Sequence, residues 1–467
     1  MSILEHYHSD RKTGPLILYE LNEIPWRVVD WYISRRPRSA FSSLLKSSAT
    51  YTTVTHDEGE LHPWTTWPSL HRGVYNASHN IRFINQDLTQ ANNYPPVWKT
   101  LKEMGKSVGV FGSLQSYSEM EPGYSFYIPD TFSPGCQTFP DEYSAFQRFN
   151  LRQTQQDGAE PSPIRVNTSV AEDVLKMLKV GLSFQVCNML AIHILKERVN
   201  ALYCSRRSVL QGLVAFDIFK HAMDKTKPEF CTFFTNHVAG MMHRYWRATF
   251  PEDFKFISNN YSDRFHADNI RYAMDIADWQ LDYLMRYIDS TGGMLMLASS
   301  MGQEAIDRGE YFGEWRIKSV EKFMNAIGWK SPFLSMMAMQ PDFNFAFDSE
   351  IDAKKFITLA GSLVDYHNVP IFKGLRQTGP TASLGLSPSK EAVLTNEVWF
   401  SPNGKPERKV GIEHLGIQFL NRDPGTGYHQ PHGVLIMYGK GIEHDDSRSN
   451  IELTEIRPAI LALMSRR

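Results

Sequence analysis

The stretch His62-Pro63-Trp64-Thr65-Thr66-Trp67-Pro68-Ser69 sets two adjacent hydroxyls between Trp-Pro corners, just after the acidic run His56-Asp57-Glu58-Gly59-Glu60. The extended segment before it (Tyr51 to Thr55) and Leu70-His71-Arg72-Gly73 after it read as a strand-to-helix turn. A hydroxyl at such a turn lies where free N–H groups and the helix dipole favour an anion. Thr66 is therefore a candidate nucleophile toward phosphorus or sulfur, with Thr65 beside it as a substrate contact; the plainer reading of Thr66 is a helix N-cap. Four more polar clusters stand out: Asn22-Glu23, Asn236-His237 with His243, Ser300 to Gln303, and His429 with His432. They supply the amide, carboxylate and imidazole groups that hold metals or substrates, and each also has a structural reading. His237 and His243 fit hydrogen-bonding roles at a strand-to-helix corner, Gln303 fits a cap on a following helix, and Arg244 fits a structural salt bridge as well as an anionic substrate. Glu20 shares a strand face with Asn22 and suits a buried ion pair; Glu60 and His62 line a pocket or stay in a solvated loop. Trp64, Trp67 and Trp246 fit a core better than a stacking platform.

The elements that must position these groups are legible as short apolar runs. Pro15 to Leu21 predicts a buried strand whose carboxyl end carries Asn22 and Glu23. In open α/β sheets that end of a strand is where ligands bind. Ser107 to Gly112, Glu229 to Phe234, Gly293 to Ala298 and Val434 to Gly439 predict further strands, and Val97 to Lys106, Ala267 to Ile288 and Ile456 to Leu461 predict helices. Apolar residues at helical spacing predict a helical insertion over 169–226, and the irregular stretch 333–420 predicts a small subdomain or cap. Strands alternating with helices give an α/β class, a mainly parallel sheet sandwiched by helices, in one domain over 1–467.

Composition narrows the partners. With 42% hydrophobic and 12% aromatic residues in 467, the chain buries a large core. Lys plus Arg number 49 against 51 Asp plus Glu, with no block of like charge, so neither a nucleic acid nor an anionic membrane is expected as a partner. The most apolar long window, Met177 to Leu195, is interrupted by Lys179, Ser183, Gln185, Asn188 and His193, and predicts no membrane span. Met1-Ser2-Ile3-Leu4-Glu5-His6 lacks the features of a signal peptide, so a cytoplasmic location is expected. Cys136, Cys187, Cys204 and Cys231 lie far apart, without a zinc-ribbon or disulfide pattern.

The order of these motifs resembles the alkaline phosphatase superfamily, in particular its type I phosphodiesterase and nucleotide pyrophosphatase branch. Leu16 to Trp26 is similar to that family's first strand, which ends in a metal-binding Asp; Thr66-Trp67-Pro68-Ser69, with Gly73, Tyr75, Ser78 to Ile81 and Asn85, is similar to its nucleophile segment. His243-Arg244-Tyr245-Trp246 resembles the Asp-to-His ligand loop, Ser300-Met301-Gly302-Gln303 stands where an Asp-His-Gly motif belongs, and His429-Gln430-Pro431-His432-Gly433-Val434 resembles the late His ligand motif. The resemblance spans nearly the whole chain outside the helical insertion, and it implies the family's fold and a pair of zinc-like ions about 4 Å apart, a spacing suited to in-line displacement. The chain departs from that pattern: one ion's ligands are replaced by Asn22, Ser300 and Met301, poor zinc donors, so that ion is expected to be missing. For the other, the resemblance implies His237, His243 and His429 around one divalent metal, zinc first and iron or manganese as alternatives, with Glu23 as a further ligand or general base. The implied function is a metal-dependent hydrolase or transferase with a mononuclear centre. Its substrate is a small phosphoester, phosphodiester or related anionic ester, phosphorylated or glycan-linked. Asn22, Thr65, Asn236, Gln303 and Arg244 would contact the substrate, Asn22 and Gln303 donating hydrogen bonds in place of the lost ion. Two other outcomes stay open: a catalytically inactive, ligand-binding pseudoenzyme, and an enzyme with different metal chemistry in the remodelled site.

Overall fold

A strand covered on both faces needs apolar side chains on both, and Leu16–Leu21 (LILYEL) is buried at every position. It runs near the middle of an eight-stranded sheet. The order across that sheet is Asp445–Glu452, Ser48–Val54, His432–Gly439, Met294–Ala298, Leu16–Leu21, Phe230–Thr235, Val108–Phe111, Phe126–Ile128. The last five strands are mutually parallel, while His432–Gly439 runs antiparallel between Met294–Ala298 and Ser48–Val54. The structure is a computed structural model and describes residues 3, 14–84, 86–156, 168–255, 264–307, 314–336, 342–387, 389, 392, 395, 397–401, 408–420 and 425–465. Asn85 of the nucleophile-like segment lies outside the described residues.

Alternation along Leu16–Leu21 divides the core in two. Ile17, Tyr19 and Leu21 pack with Val28, Val29 and Tyr32 of helix Trp26–Arg35 and with the long helices Arg207–Thr226 and Asn269–Thr291. Leu16 and Leu18 pack on the other face with Trp67 and Leu70 of helix Pro63–Arg72, with Val97–Glu103 and with Ile456–Ser465. Helix Asn269–Thr291 shows why the pattern folds so: Ile270, Ala273, Met274, Ala277, Leu281, Leu284 and Ile288 recur at three- and four-residue steps and are buried. It ends on Gly292 in the left-handed region (φ 66°). The α/β class and mainly parallel sheet are as the alternation predicts. Helix Trp26–Arg35 and strand Asp445–Glu452 are additions to it.

The register explains why polar groups gather at one edge. Leu21 pairs with Thr235 and Glu20 with Ala298, so the carboxyl ends of three neighbouring parallel strands are level. Asn22, Asn236 and Ser299 leave the sheet side by side. The antiparallel strand begins at that same edge, with His432 opposite Val54.

The chain falls into two compact units: residues 1–82, 86–307 and 425–467 form the first, and 83–85 with 308–424 the second. The second is more ordered than the irregular sequence suggests. It holds a four-stranded antiparallel sheet (Phe372–Thr378, Thr381–Leu386, Asp342–Phe347, Phe333–Met336) with helix Glu350–Gly361 over a core that includes Phe323, Phe345, Phe356, Phe372 and Leu384. Its strands are short and partly exposed, which blurs the period-two signal. Among the described residues no helix is long and apolar enough to cross a membrane.

Candidate functional site

Glu23 is the centre of the polar edge. It follows the first strand in a left-handed backbone conformation (φ 59°) and is buried. Its Oε2 lies 2.9 Å from His243 Nε2 and 3.5 Å from His429 Nε2, and the three ligand atoms offered by these residues all fall within 4.8 Å of one another. His243 sits on helix His237–Thr249, and its Nδ1–H donates to the Gly427 carbonyl (2.9 Å), which turns Nε2 toward Glu23. His429 lies on a two-stranded ribbon, Gly427–Gln430 against Gly302–Ala305, directly opposite Gln303. A Cβ on Gly427 would lie 2.5 Å from the Met242 carbonyl, so only glycine lets the ribbon approach that helix.

Two amides hold the carboxylate in place. Asn22 accepts from Trp67 Nε1–H (2.7 Å) and donates to Glu23 Oε1 (2.7 Å) and to Asn236 Oδ1 (2.6 Å). Gln303 donates to Glu23 Oε2 and to the Ala239 carbonyl (3.2 Å). The N–H groups of Asn22 and Gln303 are thereby spent on the protein, and their expected donation to substrate is corrected to a role in positioning Glu23. Gln303 caps no helix; it belongs to the ribbon.

Burial alone would raise the Glu23 pKa, but His429 and His243 beside it hold it well below the usual carboxylate range. Burial would likewise lower His243, and the Glu23 carboxylate more than offsets this and holds it above the usual histidine value. Donors about 2.0–2.1 Å from a tetrahedral ion stand roughly 3.3 Å apart, a spacing that the observed 2.9 and 3.5 Å bracket. The His429 Nδ1 is buried without a hydrogen-bond partner, so its ring is held by packing and by whatever Nε2 meets. A carboxylate with two imidazoles, backed by amides and a carbonyl, fits a divalent metal.

His237 does not join this group, correcting its place in the expected ligand set. Its Nδ1 accepts from Thr235 Oγ1 (2.7 Å) and its Nε2–H donates to the Ala273 carbonyl (3.2 Å). The ring lies against Gly212, where a Cβ would come within 3.0 Å of it, and burial pushes its pKa down to about 4. The cause is helical geometry: six residues separate His237 from His243, about 240° of rotation, so the two rings face away from each other.

Thr66 is fully buried as the fourth residue of helix Pro63–Arg72, whose N-cap is His62, which corrects the reading of Thr66 as the cap. Its hydroxyl pairs with Ser300 Oγ at 2.7 Å. The helix start is poor in free donors: Pro63 has no N–H, and the N–H groups of Thr65 and Thr66 both reach the His62 carbonyl (2.9 and 3.0 Å). Thr65 is buried beside it, whereas Asn236 and Arg244 are exposed. Asn236, its oxygen taken by Asn22, offers a substrate only its NH2 group.

Sequence reasoning left His62, Glu60 and Tyr428 at the margin. His62 is buried, stacks on Trp64 (centroids 4.2 Å apart) and sets its ring edge-on to His429 (5.7 Å), while Tyr428 donates its hydroxyl to Glu60. Glu20 pairs with His71 (2.6 Å) and accepts from Ser113 (2.8 Å), a buried structural pair. Asp57, Ser69 and His79 look like a hydrolytic triad but run backwards. Ser69 Oγ lies 2.6 Å from Asp57 and 2.9 Å from His79 Nε2, yet His79 Nδ1 accepts from the Ile81 N–H (3.0 Å), so Nε2 carries the proton and the imidazole cannot take one from serine. Burial pushes that histidine's pKa down to about 3.

No family model matches the chain, and no curated protein matches it. Among solved structures it is similar to alkaline phosphatase PafA (12% identity, 98% of this chain and 97% of that one, TM-score 0.49). It is also similar to murine ectonucleotide pyrophosphatase / phosphodiesterase 5 in complex with AMP (10%, 97% and 95%, TM-score 0.43). A third is phosphonoacetate hydrolase from Sinorhizobium meliloti 1021 in complex with phosphonoformate (9%, 96% and 96%, TM-score 0.45). Each of the three is matched over nearly the full length of both chains, at 9–12% identity.

Proposed function

We propose that Glu23, His243 and His429 hold one divalent metal, zinc by preference, and that the protein hydrolyses or transfers a small phosphoester, phosphodiester or related anionic ester. The observation that carries this reading is the convergence of one carboxylate and two imidazoles at the carboxyl edge of the parallel sheet, where such folds bind ligands. A divalent ion there supplies Lewis-acid polarisation of an ester oxygen. The chain's own residues do the rest. Asn22 and Gln303 fix the Glu23 carboxylate, the Gly427 carbonyl fixes the His243 tautomer, and the exposed Asn236 NH2 and Arg244 meet the anion. Thr66 is a positioning hydroxyl in this account, because its hydroxyl pairs with that of Ser300 and a threonine needs a base or metal to attack.

That same Thr66–Ser300 pair favours a second reading, a ligand-binding pseudoenzyme that keeps the metal site. Zinc-loaded protein assayed with bis(p-nitrophenyl) phosphate and p-nitrophenyl phosphate separates the two. Turnover that is lost in Glu23→Gln supports the enzyme. Absence of turnover, with phosphate-ester binding retained in a thermal-shift assay, supports the pseudoenzyme.

A further inference from the structure

Helix Phe184–Val199 exposes several large apolar side chains among polar ones. Val186 and His193 are buried, and Glu197 is tied inward by His193 (3.1 Å) and Arg207 (2.6 Å). On the other side Phe184 is 85% exposed, Ile192 43%, Leu195 60% and Val199 90%. At 100° per residue these four and Ala191 share one arc of about 100°, with the exposed Asn188 inside it and His193 on the far side. Arg198 and Lys196, both exposed, border the arc on either side. The preceding helix Thr168–Lys179 adds Leu175, 61% exposed, with the exposed Glu172, Lys176 and Lys179 to one side of it. Large exposed apolar groups rimmed by charge mark an interaction surface.

The sign of the rim identifies the partner. From Glu172 to Asn200 the exposed charged side chains are four basic ones, Lys176, Lys179, Lys196 and Arg198, against one acid, Glu172 beside Leu175; Glu197 is held in its ion pairs. A second copy of this face would set four cations against a single carboxylate, Glu172, on each side. An anionic bilayer answers both features: the apolar arc enters the headgroup and acyl boundary while the long basic side chains reach the phosphates. We propose that this helix face docks the protein peripherally on an anionic lipid surface. The net charge of -2 and the lack of a like-charge block argue against such a partner only as averages along the chain, and a helix face gathers residues that sequence keeps apart.

Flotation of the full chain with vesicles tests this. Wild type is expected to float with phosphatidylcholine vesicles containing about 30% phosphatidylserine, not with phosphatidylcholine alone, and to be released by roughly 0.5 M salt. Phe184→Glu with Leu195→Glu should abolish flotation. Lys196→Gln with Arg198→Gln should lower the partition coefficient about 25-fold, roughly fivefold per charge. Circular dichroism and thermal midpoints should match wild type, since the altered side chains are exposed. Absence of flotation, or equal flotation on both vesicle types, would overturn the proposal. So would a concentration-dependent dimer in sedimentation that Leu195→Glu dissociates, which would assign the face to a second copy.

Discussion

Glu23 and Thr66 lie at the same edge of the fold in different company: Trp67, the residue after Thr66, donates to Asn22, which donates to Glu23, while Thr66 itself pairs with Ser300. Around Glu23 every group is ionisable or aims at one that is: two imidazoles face the carboxylate, two amides grip it, and a carbonyl orients one ring. Around Thr66 the groups satisfy each other. Its hydroxyl meets Ser300, the Ser299 hydroxyl donates to the Met301 carbonyl, and Met301 is buried. A buried carboxylate beside two imidazoles is expensive to maintain unless charges compensate or a metal binds, whereas paired hydroxyls are content in a core. The difference teaches where chemistry is to be sought: with Glu23, not with the hydroxyl that the motif order brings to notice first.

The largest effect should come from breaking the ionisable side. Glu23→Gln, nearly isosteric, should lower metal affinity by more than about 100-fold, measured by competition with a chromogenic chelator. Gln303→Ala and Asn22→Ala should each lower it by about 10- to 100-fold, because they loosen a ligand without removing it. Asn22→Ala should also cost about 1–3 kcal/mol in urea unfolding, since it strands the Trp67 N–H and a Glu23 oxygen. His237→Phe should cost about 1–3 kcal/mol while leaving metal content unchanged, separating the core histidine from the ligand histidines.

The pH dependence sharpens the same contrast. His243 has a raised pKa, so in chelated protein its pair with Glu23 stabilises fully below the ordinary 6.5 and loses that contribution as pH rises through the raised value. Glu23 has a lowered pKa, so its contribution is present above the ordinary 4.5 and is lost only as pH falls through the lowered value. Glu23→Gln should therefore lower the thermal midpoint of chelated protein more at pH 5.5 than at pH 8.5. Metal affinity should run the other way and rise with pH as His243 gives up its proton. The smallest effect belongs to the hydroxyl side: Thr66→Ala should change ester turnover by less than about tenfold, and a loss of several orders of magnitude would restore Thr66 as nucleophile.

Much of this was legible in the chain. Each central strand is a short apolar run that ends in polar residues, and parallel register alone carries Asn22 and Asn236 to one edge. The parting of His237 from His243 was within reach too, because six residues on a helix cannot share a face. What sequence did not offer was Glu23 as the meeting point. Its side chain is aimed by a left-handed backbone turn and by amides from Asn22 and from Gln303, 280 positions later. Nor did it offer the pairing of Gln303 with His429, which depends on a ribbon whose strands are four residues each. The second unit was hidden for a similar reason, since short half-exposed strands carry little periodicity.

The most direct test of the central claim is the metal content of protein purified without chelator, measured by mass spectrometry for wild type, Glu23→Gln, His243→Ala, His429→Ala and His237→Phe. The account predicts about one equivalent of a divalent metal in wild type and His237→Phe, and its loss in the other three. Metal retained without Glu23, or lost with His237 in a variant that still folds, would contradict it.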